Sequence, residues 1–125
     1  MNQPNYQQTN FPSLKLLFLL LLTAVFGASV RANICTWTGG GGNNYWTNAA
    51  NWGGTAPVSG DSLVFAGSTS LLTTNRFTAG TTFSNLTFDA SAGAFTLNGN
   101  SFALTGSIAN NSTNLQTLGL PFSCT

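Results

Sequence analysis

From Asn33 onward, apolar side chains come in short alternating runs between polar, glycine-rich stretches. Leu63, Val64 and Phe65 stand between Gly60-Asp61 and Gly67. Phe83, Leu86 and Phe88 follow, then Phe95 and Leu97, then Phe102, Leu104 and Ile108. Each run is short, β-branched or aromatic, and bounded by Gly, Asn or Ser, which is the pattern of β-strands. No stretch after Asn33 repeats apolar residues at helical spacing, so almost no helix is expected there.

The parity of the last runs carries information. Phe95 and Leu97 are odd, Phe102, Leu104 and Ile108 are even, and Asn98-Gly99-Asn100-Ser101 lies between. A two-residue turn at Asn98-Gly99 or Gly99-Asn100 would put both sets on one face of a hairpin. A four-residue corner of a solenoid would also point both sets inward, and the local pattern fits either. Val64 to Leu86, and Leu86 to Leu104, are each spaced by about one turn of a β-helix, and about three such repeats must stack for stability.

Four segments are expected: a signal peptide at 1–32, a Trp/Gly/Asn-rich capping region at 33–60, β-strand repeats at 61–110 and an irregular tail at 111–125. The first rests on a polar start with one cation, Lys15, followed by the apolar run Leu16–Ala28. That run has signal-peptide length, whereas a membrane span needs roughly twenty residues. Val30-Arg31-Ala32 offers small residues for cleavage after Ala32. The mature chain is therefore expected to be secreted or at the cell surface, and not membrane-spanning.

Composition narrows the partners. Charged residues are only 4% of the chain and the formal net charge is +1. Uncharged Gly, Asn, Ser and Thr take their place, as in extracellular repetitive β proteins. Lys15, Arg31 and Arg76 are scattered, so nucleic acid is not an expected partner. The two cysteines, Cys35 and Cys124, sit near the ends of the mature chain. In an oxidising compartment they would close a long loop, worth about 4–5 kcal/mol in the entropy model; a free Cys124 in the tail fits the sequence equally.

Candidate chemistry is sparse. Gly39–Gly42 lacks the following Lys and the helix of a phosphate loop and reads as a flexible surface loop. With no histidine, Ser-His-Asp and Cys-His catalysis and the usual zinc sites are excluded. Asp61 and Asp89 are the only mature carboxylates, and each sits in a turn context, where a short acid bonds its own backbone. No catalytic residue, metal ligand or cofactor is expected. Asn85-Leu86-Thr87, Asn110-Asn111-Ser112 and Asn111-Ser112-Thr113 match the glycosylation pattern, as Asn/Thr-rich chains do by chance.

The tryptophans invite two readings. Tyr45, Trp46 and Trp52 with Asn51 have the chemistry of a glycan-binding face, rings for stacking and an amide for hydroxyls. Alternatively, Trp37 and Trp52 cover the open end of a first β repeat, which would otherwise expose apolar core and free backbone groups. Their position at the start of the repeats favours the cover.

Trp37-Thr38-Gly39, Tyr45-Trp46, Ala50-Asn51-Trp52, Pro57, and Gly60-Asp61 before Leu63-Val64-Phe65 together resemble the start of bacterial proteins with autotransporter-associated β-strand repeats. The stretch from Phe83 to Ile108 resembles their first repeat, and the likeness runs from Thr36 to about Asn110. The resemblance implies an extracellular right-handed β-helical passenger with a structural, adhesive or export-related role. Members of that family often carry a C-terminal β-barrel or a sorting tail; this sequence departs from them there and is expected to be an N-terminal piece of such a protein or a truncated gene product.

The expected fold is therefore all-β, the start of a right-handed parallel β-helix with a Trp-rich N-terminal cap, with a small β-sandwich as the alternative. The expected function is non-enzymatic, structural or adhesive; the alternative is a secreted carbohydrate-binding module. Surface glycans, or other copies meeting at an open β edge, are the expected partners.

Overall fold

Short alternating runs form short strands, ten among the described residues: β1 (Ile34–Trp37), β2 (Ser62–Phe65), β3 (Leu72–Asn75), β4 (Thr81–Phe83), β5 (Leu86–Phe88), β6 (Thr96–Gly99), β7 (Phe102–Leu104), β8 (Ile108–Asn110), β9 (Thr117–Leu118) and β10 (Phe122–Cys124). The helical content among these residues is one 3₁₀ turn, Ala49–Trp52. The structure is a computed structural model that describes residues 31–125. The expected signal segment, 1–32, lies outside them except for its last two residues. Ala32–Thr125 is one compact unit and contains the whole buried cluster.

The protein is all-β and its strand pairs are parallel. Sheet A orders β1-β2-β5-β8, sheet B β3-β6-β9 and sheet C β4-β7-β10. From β2 on, the chain visits A, B and C in turn and returns to the next place in each. The register brings chemically alike residues into columns: Cys35, Leu63, Leu86 and Ile108; Trp37, Phe65 and Phe88. Thr73, Leu97 and Leu118 align in sheet B, and Phe83, Leu104 and Cys124 in sheet C. A parallel ladder spaces neighbours about 4.8 Å apart, so each ring stacks on the one beneath it. Phe65 packs on Phe88 at 5.6 Å and on Phe95 at 5.3 Å between centroids.

Several expectations change. The hairpin option at Asn98-Gly99 is not used: β6 and β7 belong to different sheets, and the chain turns a corner between them. Gly99 makes that corner with φ +107°, and a Cβ there would collide with the Asn75 backbone of the strand below. Leu86 aligns with Ile108, while Leu104 aligns with Phe83. The interval from Leu86 to Leu104 therefore does not measure one return of the chain. The tail 111–125 is not irregular, since β9 and β10 extend sheets B and C within it. Sandwiches of the kind expected as the alternative are built from antiparallel sheets, whereas these sheets are parallel.

Strand β3 was hidden because its inward residues, Thr73 and Asn75, are polar. Both are buried and satisfied. Thr73 Oγ1 accepts from Trp46 Nε1 at 2.9 Å. Asn75 donates to the Asn100 carbonyl at 2.8 Å and accepts from the Phe77 N–H at 3.0 Å. A buried polar group is tolerated at little cost when its hydrogen bonds are made.

Candidate functional site

The segment between β1 and β2 folds back over the first strands of the stack. Asn44 to Trp46 runs beside β3: the Thr74 N–H donates to the Asn44 carbonyl at 2.8 Å, and the Trp46 N–H to the Thr74 carbonyl at 3.0 Å. Farther on, the Gly60 N–H donates to the Thr82 carbonyl of β4 at 2.9 Å. Sheets B and C are thus covered at this end, which removes edges that would otherwise template other strands.

The three tryptophans lie beneath this cover. Trp46 is 0% exposed and Trp52 6%. Trp37 meets Trp52 edge-to-face at 5.1 Å, and Trp46 and Trp52 both pack on Phe65. Each indole N–H has an acceptor: Trp37 at the Thr69 carbonyl, Trp46 at Thr73 Oγ1, and Trp52 at the Trp46 carbonyl at 2.7 Å. A buried indole left without one would forfeit its hydration for nothing.

Asn51, also 0% exposed, ties the segment together. Its Oδ1 accepts from the Gly41 N–H at 2.8 Å, and its Nδ2 donates to the Asn43 and Tyr45 carbonyls at 3.0 Å each. Its own carbonyl accepts from the Thr38 and Gly39 N–H groups. Asn48 caps the 3₁₀ turn by accepting from Ala50 N–H, and donates to the Gly41 carbonyl. Gly41 has no room for a Cβ, which would strike both Asn48 Nδ2 and Asn51 Oδ1. The glycine run, expected as a flexible surface loop, is therefore in part tightly packed: Gly39 is buried and Gly41 is held on both sides.

These positions bear directly on the glycan reading. Trp46 and Asn51 present no free face to a sugar, and Trp52 keeps only a sliver of its ring exposed, at the wall of the cleft beside β1. Tyr45 is half-buried, and the Arg76 guanidinium lies 4.4 Å from its ring centroid. Asp61 and Asp89 each serve a local turn. Asp61 accepts from Val58 N–H at 2.9 Å and from Asn33 N–H at 2.8 Å, joining the start of β1 to β2. Asp89 accepts from Ser91 N–H and Oγ–H, and these bonds hold its carboxyl below the usual range.

Beside the outer edge of β1 lies an open cleft of about 490 Å³, bordered by Ile34, Thr36, Trp52, Ala56 and Val58. Cys35 also reaches it. Of the two alternatives left open by the sequence, a Cys35–Cys124 bridge and a free Cys124, the structure has the second: both cysteines are free. Cys35 lies on the first strand of sheet A and Cys124 on the last of sheet C. Three ladder steps of about 4.8 Å separate their levels, beyond the Cα spacing a disulfide spans.

The Cys35 thiol donates to Asp61 Oδ2 at 3.5 Å. Burial first, then the Asp61 charge and this hydrogen bond, push its pKa from 9.0 up to about 11. The fold thus favours the neutral thiol. That contribution to stability is complete below pH 9 and is lost as pH rises towards 11. Iodoacetamide at pH 8.5 is expected to modify exposed Cys124 well before Cys35, with Cys35 reacting only above pH 10 or on unfolding. Equal rates by peptide mass spectrometry would contradict this environment for Cys35.

Among the described residues no helix is long and apolar enough to cross a membrane. Comparison of the chain with protein-family models, with curated proteins and with solved structures finds no match.

Proposed function

We infer that the chain forms the first turns of a right-handed parallel β-helix closed at its N-terminal end by a tryptophan cap. Its role on this reading is non-enzymatic: a structural or adhesive segment of an exported surface protein. The observation that carries it is the repeated A, B, C order of strands with like residues in register. Such an architecture spends its sequence on stacking and leaves an uncharged, Asn/Thr-rich exterior. The likeness of the Trp, Asn-Trp and Gly-Asp series to autotransporter-associated β-strand repeat proteins supports the same role. The apolar run Leu16–Ala28 supplies a route out of the cell. Burial of Trp46, Trp52 and Asn51 weighs against the carbohydrate module.

One experiment tests the reading. The full chain is expressed in a bacterial host, the cell is fractionated, and the exported product is sequenced from its N-terminus and applied to a glycan array. The expected product begins at Asn33, lies outside the cytoplasm and binds no glycan. Cytoplasmic retention with an intact leader would overturn the export role. A glycan hit lost in Tyr45→Ala would replace the structural role with the module.

A further inference from the structure

Asp61 does more than close its turn. It is 3% exposed and accepts three hydrogen bonds, all from neutral donors. At Oδ2 these are the Val58 N–H at 2.9 Å and the Cys35 thiol at 3.5 Å. At Oδ1 the donor is the Asn33 N–H at 2.8 Å. A buried carboxylate held by neutral donors alone lacks the counter-charge that usually accompanies burial.

Asn33 is the residue that follows the expected cleavage point. Its carbonyl accepts from the Ser62 N–H at 2.8 Å, so Asn33 is fixed through both its nitrogen and its carbonyl where β1 begins. While Ala32 is attached, the Asn33 nitrogen is an uncharged amide. Hydrolysis of the Ala32–Asn33 bond consumes one water. The Ala32 carbonyl carbon takes its oxygen and leaves as a carboxylate, and both water protons end on the Asn33 nitrogen, which becomes an ammonium. The atom that already lies 2.8 Å from Asp61 Oδ1 then carries a positive charge.

We propose that cleavage after Ala32 makes the Asn33 α-ammonium the ionic partner of Asp61, so that removal of the leader ties β1 more tightly to β2. This inference rests on the export reading above.

The sign of the effect follows from what is already buried. Asp61 is out of water before the cut, so the desolvation that cancels many buried pairs is not incurred anew. Asn33 is exposed, so the ammonium keeps its remaining protons in water. Nothing else around it competes. β1 contributes Cys35, whose pKa of about 11 keeps it a neutral thiol, and the segment 38–60 contributes Trp52, Thr55, Ala56 and Val58. Arg31 departs with the leader. A cut one residue earlier leaves Asn33 an amide and puts the ammonium on Ala32, one Cα step of about 3.8 Å along the chain. Asp61 therefore responds to the position of the cut as well as to the loss of the leader.

The test compares urea unfolding of three chains: residues 33–125 with a free amine, the same chain Nα-acetylated, and residues 32–125. Acetylation keeps the Asn33 N–H and removes only its charge. At pH 6.5 the free amine should raise the folding constant about tenfold over the acetylated chain, water screening holding it to that size. An ionic partner raises the amine pKa above its ordinary value of about 8. The gain is therefore complete below that value and lost as pH rises through the folded one, leaving the two chains nearly equal at pH 10. Residues 32–125 should follow the acetylated chain. Asp61→Asn in both forms should erase the difference, and Asp89→Asn should preserve it; the acetylation comparison decides by itself if Asp61→Asn does not fold. Equal stability of free and acetylated chains at pH 6.5, the same gain in residues 32–125, or a gain that persists at pH 10 would each overturn the capture. An exported product that begins elsewhere than Asn33 would overturn the cleavage reading beneath it.

Discussion

Replacing Trp46 by alanine is expected to destabilise the Ala32–Thr125 unit by about 3–5 kcal/mol. The ring is wholly buried and bridges the covering segment to the body of the stack, with Phe65, Phe83 and Phe102 around it. Its removal leaves a large cavity and strips Thr73 Oγ1 of its donor. Domains of this size have about 5–15 kcal/mol of stability, so this loss brings the unit close to unfolding. Urea denaturation followed by circular dichroism would measure it. Trp46→Phe should recover part of the loss, because it restores ring packing but not the indole N–H. A cost for Trp46→Ala below about 1 kcal/mol would mean the ring does not hold the cover down.

The second large effect is expected at Asn51. Alanine there leaves the Gly41 N–H and the Asn43 and Tyr45 carbonyls without their side-chain partner. A fully buried group left unsatisfied costs about 1–3 kcal/mol; Gly41 and Tyr45 are half-buried and Asn43 is exposed, so water recovers part and a loss of about 2–4 kcal/mol is expected. Asn51→Asp should be at least as harmful. A carboxylate keeps the acceptor for Gly41 but faces two carbonyls with no proton to donate. The checking measurement is thermal unfolding of both variants beside Asn48→Ala, whose loss should be smaller, about 1 kcal/mol. If Asn48→Ala proved the more damaging, the hub would lie in the 3₁₀ cap and not in Asn51.

How legible each element was follows from what its residues bury. The runs around Leu63, Leu86, Leu97 and Leu104 read as strands because inward Phe and Leu alternate with Ser, Val, Thr, Asn or Ala. β3 carries no apolar alternation because its inward residues are Thr73 and Asn75, whose burial depends on partners brought from Trp46 and Asn100. β9 and β10 carry none either, because Leu118 and Phe122 stand among Gly, Pro and Ser and acquire strand geometry from the edges of β6 and β7. At the covering segment, the choice between stacking tryptophans for a sugar and packing them inward was unreadable locally. Both uses need the same residues, and only their neighbours distinguish them.

The sequence by itself determined the all-β class, the near absence of helix from Asn33 onward and the turn roles of Asp61 and Asp89, because these depend on alternation and on side chains reaching their own backbone. The tertiary structure decided which run lies on which, that Leu86 faces Ile108, that Asn98–Ser101 is a corner, and that Cys35 and Cys124 stand at opposite ends. Parallel pairing joins residues about 20 positions apart, and no local pattern specifies the partner of a strand whose edge is a backbone common to all. The register is chosen by the columns of rings and leucines that it aligns.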